Sequence, residues 1–85
     1  MTKIIAQPPY RTTDLSLATF LSLRGFRLAN LVHNERRESV FEFLNPEGKI
    51  QQEILAFHSG ATVPAQQFAD KLRNLKFLVK RGGLR

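Results

Sequence analysis

Between Asp14 and Gly25 the chain reads as a helix that is apolar around most of its circumference. A helix of that kind has to be covered on several sides at once. Thr12, Thr13 and Asp14 offer side-chain oxygens for its first N–H groups, and Gly25 suits the left-handed position that ends a helix. At roughly 100° per residue, Leu17, Phe20 and Leu21 form one inward arc, with Ser16, Thr19 and Ser22 gathered opposite. Leu15 and Leu23 fall between the two groups, which makes this helix the expected centre of the core. In a chain of 85 residues everything else must be arranged around it. A domain this small buries only ~60% of the surface its unfolded chain exposes, so there is no room for separate cofactor and substrate domains.

Residues 1–12 read as an N-terminal arm, because Pro8 and Pro9 lack backbone donors and favour an extended conformation. After the first helix, residues 26–32 and 39–44 read as the two strands of an antiparallel hairpin. The two-residue period places Phe26, Leu28, Asn30 and Val32 on one face of the first strand. In the second strand Phe41 and Phe43 share one face, and Val40 and Leu44 share the other. Both faces are therefore expected to be covered, one by a helix and the other by a second subunit. The polar run His33-Asn34-Glu35-Arg36-Arg37-Glu38 is the hairpin loop.

Asn45-Pro46-Glu47 marks a second helix start, with Asn as cap and Pro in the first turn. Ile50, Ile54 and Phe57 give it an inward stripe, Leu55 lies on its flank, and it ends near His58, before Ser59-Gly60. Pro64 opens a third helix that runs to about Lys80 and stops at Gly82-Gly83, with Ala65, Phe68, Leu72, Leu75 and Val79 facing the core. The expected fold is α+β in the order αββαα, a two-stranded hairpin packed with three helices. One domain spans residues 13–81, and residues 82–85 form a frayed tail.

Charge is the compositional outlier. The formal net charge is +6, yet residues 1–70 hold seven basic and seven acidic side chains that cancel. The excess lies entirely in residues 71–85, where Lys71, Arg73, Lys76, Lys80, Arg81 and Arg85 meet no acid. A local positive potential of this kind attracts polyanions. On the third helix Arg73, Lys76 and Lys80 follow one flank at spacings of three and four residues. Gln66, Gln67, Arg73 and Asn74 also lie on faces from which a recognition helix would reach base edges, were the second and third helices a helix-turn-helix. Phe77 stands among polar residues, which suggests contact with a second subunit, another protein or a stacked base, with self-association ahead of base stacking. The expected nucleic-acid-binding set is Lys71, Arg73, Lys76, Lys80 and Arg81, with Arg36 and Arg37 of the hairpin loop as an auxiliary element bracketed by Glu35 and Glu38. Phe77 and Asn74 are the expected partner interface.

Catalytic chemistry finds no support in the residues. Cys is absent, which excludes disulfides and thiolate metal sites. His33 and His58 lie far apart without partners at metal-ligand spacing, Ser39 and Ser59 stand outside any nucleophile-elbow pattern, and no Gly-rich loop leads from a strand into a helix. No catalytic residue, metal or cofactor is expected. No apolar run approaches the ~18 residues that span a bilayer, and the expectation is a cytoplasmic protein without membrane contact.

Tyr10-Arg11-Thr12-Thr13-Asp14-Leu15, followed by Leu17-Ala18 and Arg24-Gly25-Phe26, resembles the opening of a small prokaryotic family, a domain of unknown function found in bacteria, archaea, phages and plasmids. Val63-Pro64-Ala65, Phe68 and Leu72-Arg73-Asn74-Leu75-Lys76 are similar to its closing segment. The resemblance covers residues 10–80. It implies one compact domain and a mobile-element origin, and it carries no activity and no catalytic residue. The expected function is a small basic nucleic-acid-binding accessory protein, for DNA or RNA, with a homodimer as the expected assembly. The alternative is a protein-binding inhibitor or adaptor of a host or defence complex, without catalysis.

Overall fold

The computed structural model describes residues 8–45 and 48–82. In chain order the elements are β1 (Tyr10–Thr12), α1 (Leu15–Leu23), β2 (Leu28–His33), β3 (Ser39–Phe43), α2 (Ile50–His58) and α3 (Ala65–Arg81). The α+β class and the three helices agree with the sequence reading. The two-stranded hairpin does not: the sheet has three antiparallel strands in the order β1-β3-β2, and the element order is βαββαα. The end of the expected arm is the added strand. Tyr10, Arg11 and Thr12 pair with Phe43, Glu42 and Phe41, and an Arg11 Nε–Glu42 Oε2 ion pair of 3.0 Å spans the outer face. Three residues are too few to display a period, which is why β1 reads as arm. Residues 1–7 and the tail beyond Gly82 lie outside the described residues.

α1 is the centre, as its composition requires. Leu17, Ala18, Thr19, Phe20 and Leu21 are all buried, and five successive helical residues point all the way round the axis. The expected polar side of α1 is therefore corrected at Thr19, which is fully buried. Its hydroxyl donates to the Leu15 carbonyl at 2.8 Å, so the polar group enters the core already satisfied. Asp14 caps the helix as expected, its Oδ1 accepting from the Leu17 N–H at 3.1 Å. At the other end Gly25, at φ 93°, lets the Phe26 N–H reach the Leu21 carbonyl and the Gly25 N–H reach the Ser22 carbonyl, which turns the chain back toward the sheet.

The inward face of the sheet carries Tyr10, Leu28, Leu31, Phe41 and Phe43 in or against the core cluster that α1 centres. A bulge between Leu28 and Asn30 shifts the phase of β2, so Leu31 is buried where the simple alternation pointed to Asn30 and Val32. Asn30 Oδ1 accepts from the Leu31 N–H at 2.9 Å beside that irregularity. Val32, Val40 and Leu44 lie outside the core cluster.

α2 starts later than expected. Gly48 adopts φ 67° and breaks the first turn, while Asn45 Oδ1 still reaches the Ile50 N–H at 3.2 Å. Pro46 and Glu47 lie outside the described residues. Ile50 is buried, Ile54 and Phe57 pack against the core, and the Phe57 ring meets Phe20 at 5.4 Å between centroids. The helix ends at His58, as expected, with Gly60 in the left-handed region.

Pro64 stands one residue before α3 as its cap, and Gly82 closes it at φ 92°. Leu75 is buried, with Leu78 and Val79 packed on the core; Ala65 is exposed, and Phe68 and Leu72 are half-buried outside the set that touches the core cluster. Length explains the difference from the expected stripe. At ~1.5 Å per residue α3 measures about 25 Å and α1 about 14 Å, so α3 outruns the helix it packs on.

Candidate nucleic-acid interface

The period of α3 and the burial of Leu75 fix where its cations project. Taking Leu75 as the inward direction, Lys76, Lys80 and Arg73 follow at roughly 100°, 140° and 160° around the axis. All three are exposed. Lys71 lies on the opposite flank near the core and is half-buried. Arg81 falls on the far side of Phe77, with its Cζ 5.9 Å from that ring's centroid. The expected five-residue set thus divides: Arg73, Lys76 and Lys80 stand together, while Lys71 and Arg81 point elsewhere.

Among the described residues, acids leave the two lysines of the flank, Lys76 and Lys80, without an ion pair. Arg73 has one, from Nη1 to Asp70 Oδ1 at 3.1 Å, and the same carboxylate oxygen accepts from Gln66 Nε2 at 2.9 Å. The Asp70–Arg73 pair is solvent-exposed on both sides, so it is a weak tether. Elsewhere Glu42 is engaged by Arg11 and Glu53 by Arg24, the latter at 3.1 Å, and Asp14 caps α1. Beside the flank, Ala69, Leu72, Arg73 and Lys76 line an open depression of about 240 Å³, with Leu72 contributing an apolar surface.

The hairpin loop is held by Asn34 and leaves its arginines unengaged. Asn34 Oδ1 accepts from the Arg36 and Glu38 N–H groups at 2.9 and 3.0 Å, and Asn34 Nδ2 donates to Glu38 Oε1 at 3.0 Å. The Arg37 N–H reaches the Asn34 carbonyl, and Arg37 itself takes φ 65°, the left-handed position that closes a three-residue hairpin loop. Among the described residues neither Arg36 nor Arg37 forms an ion pair, although Glu35 and Glu38 bracket them. The strained backbone of Arg37 is a feature that side-chain pattern alone does not reveal.

α2 and α3, the pair read as a candidate helix-turn-helix, each lean on α1 more than on one another. Asn74 and Phe77 are both exposed on α3. His33 Nε2 lies 3.4 Å from Ser39 Oγ, and His58 meets the edge of Phe57. Among the described residues no cluster of three or more His, Asp and Glu side chains has metal-binding geometry. No helix among them is long and apolar enough to cross a membrane.

The model of one family, described as a domain of unknown function (DUF5659), matches residues 7–81. The chain belongs to the DUF5659 family. The match takes in every strand and helix described above, together with the segments Tyr10–Leu15 and Leu72–Lys76 that carried the resemblance. No curated protein and no solved structure matches this DUF5659 chain.

Proposed function

We propose that this DUF5659 domain is a non-enzymatic accessory protein of the cytoplasm, encoded by a mobile element, that binds nucleic acid through the outer flank of α3. The observation that carries the reading is the row of Arg73, Lys76 and Lys80 on one exposed flank, with both lysines free of ion pairs among the described residues. Cations held in a row by a rigid helix match phosphates spaced along a strand, and they bind by releasing condensed counterions. Arg36 and Arg37 at the loop tip supply a second contact to the backbone. A labelled mixed-sequence oligonucleotide, titrated at low and moderate salt against wild type and Lys76→Glu/Lys80→Glu, tests the reading. Wild type binds at low salt and weakens as salt rises, and the charge-reversed variant loses most of the affinity while its circular dichroism is unchanged. Absence of binding at low salt, or equal binding by both proteins, refutes it.

One observation supports the second reading, a protein-binding adaptor. The depression beside Leu72 joins apolar and cationic groups, a combination suited to an acidic amphipathic partner segment.

A further inference from the structure

Among the described residues the exposed large apolar side chains are Val32, Leu44, Leu55 and Phe77, and of these Phe77 alone is aromatic. It is 60% exposed on the outer side of α3, far from the core-facing Leu75. Its helical neighbours three and four residues away are Arg73, Asn74, Lys80 and Arg81. Cations therefore flank the ring on both sides along the helix. Arg81 is close enough to lie over one edge of its face, at 5.9 Å from the centroid.

This setting argues against a second copy as the occupant. In a two-fold contact the same patch meets itself, so the paired Phe77 rings would gather Arg73 and Lys80 of both copies around them. Like charges juxtaposed across an interface oppose association. Protein hot spots also sit within a ring of contacts that excludes water, and strongly hydrated ammonium groups do not form one. A nucleobase meets both demands. It offers a flat aromatic face to the ring and brings a phosphate for the flanking cations. In a duplex those faces are stacked on one another; in a single strand they are available.

We infer that the ligand class is single-stranded nucleic acid, with Phe77 as the platform on which one unpaired base stacks while Arg73 and Lys80 hold the adjoining phosphates. This rests on the proposed nucleic-acid binding and adds the strand state and a residue that the charge argument does not use. The chain contains no Trp, so Phe77→Trp creates a single tryptophan at the site, which can be excited apart from Tyr10.

The test compares a labelled 12-mer of thymidines with a duplex of the same length at low salt, using wild type, Phe77→Ala and Phe77→Trp. Wild type binds the single strand more tightly than the duplex. Phe77→Ala weakens single-strand binding about tenfold and leaves duplex binding unchanged. Phe77→Trp restores the affinity, and its emission is quenched at saturation by the stacked base. Undiminished single-strand binding by Phe77→Ala, or unquenched Trp emission at saturation, overturns the inference and leaves the basic flank standing. A wild-type dimer in sedimentation that Phe77→Ala dissociates also overturns it. No binding of either oligonucleotide by wild type removes both this inference and the proposed function.

Discussion

Thr19 and Arg37 illustrate how far single residues depart from their usual settings. Thr19 is fully buried on the central helix, and its hydroxyl bonds to a carbonyl that belongs to the same helix. Valine at that position removes the donor without stranding the acceptor, which sits within the α-helical ladder. Thr19→Val therefore changes stability by less than about 0.5 kcal/mol, whereas Thr19→Ser leaves a methyl-sized void and costs about 1 kcal/mol. Urea unfolding of the two variants checks this. Arg37 differs in kind. A non-glycine residue at φ 65° carries a backbone penalty of roughly 1 kcal/mol, which Gly at the same place does not. Arg37→Gly raises the urea midpoint, by an amount corresponding to about 0.5–1 kcal/mol. A stability gain on removing a charged loop residue places Arg37 among the positions whose side chain is kept for something other than the fold.

The strands and helices divide according to whether one period runs through them unbroken. In β2 it does not. The bulge near Ala29 exchanges the faces, so Leu31 enters the core and Val32 is 39% exposed. Leu31→Ala should cost about 2–4 kcal/mol and Val32→Ala less than about 1 kcal/mol, the reverse of what an unbroken alternation from Phe26 requires. Thermal or urea unfolding of the pair distinguishes the two registers. The helices were legible in the residues because caps, glycine stops and the inward stripe act locally. Asp14, Gly25, Gly60 and Gly82 all serve as expected. β1 was not, because its only justification is the distant partner strand. The flank of Arg73, Lys76 and Lys80 follows from the helical period alone, and so does the separation of Lys71 from it. The Asp70–Arg73 tether and the unengaged loop arginines depend on which neighbour each side chain selects. At the loop tip, Asn34 takes Glu38 as a partner, an outcome that sequence adjacency to Arg36 and Arg37 obscures.

The folded chain concentrates its uncompensated charge instead of spreading it, and this sets a quantitative expectation for binding. Glu42, Glu53 and Asp70 are engaged locally by Arg11, Arg24 and Arg73, while Lys76 and Lys80 stay unpaired among the described residues. If Arg73, Lys76 and Lys80 each neutralise one phosphate, the logarithm of the binding constant falls against the logarithm of salt with a slope of about −2 for a single strand. A fourfold rise in salt then weakens binding by roughly twentyfold. Engagement of Arg36 and Arg37 together with the flank steepens the slope to about −3.5, so the same titration reports whether one strand bridges both places. Replacing only the loop arginines, as Arg36→Ser/Arg37→Gly, should return the slope to about −2 if the hairpin takes part. An unchanged slope assigns the interface to α3 alone. A slope near zero in wild type means that phosphate contacts contribute nothing, and then the asymmetric charge of this domain serves a partner other than nucleic acid.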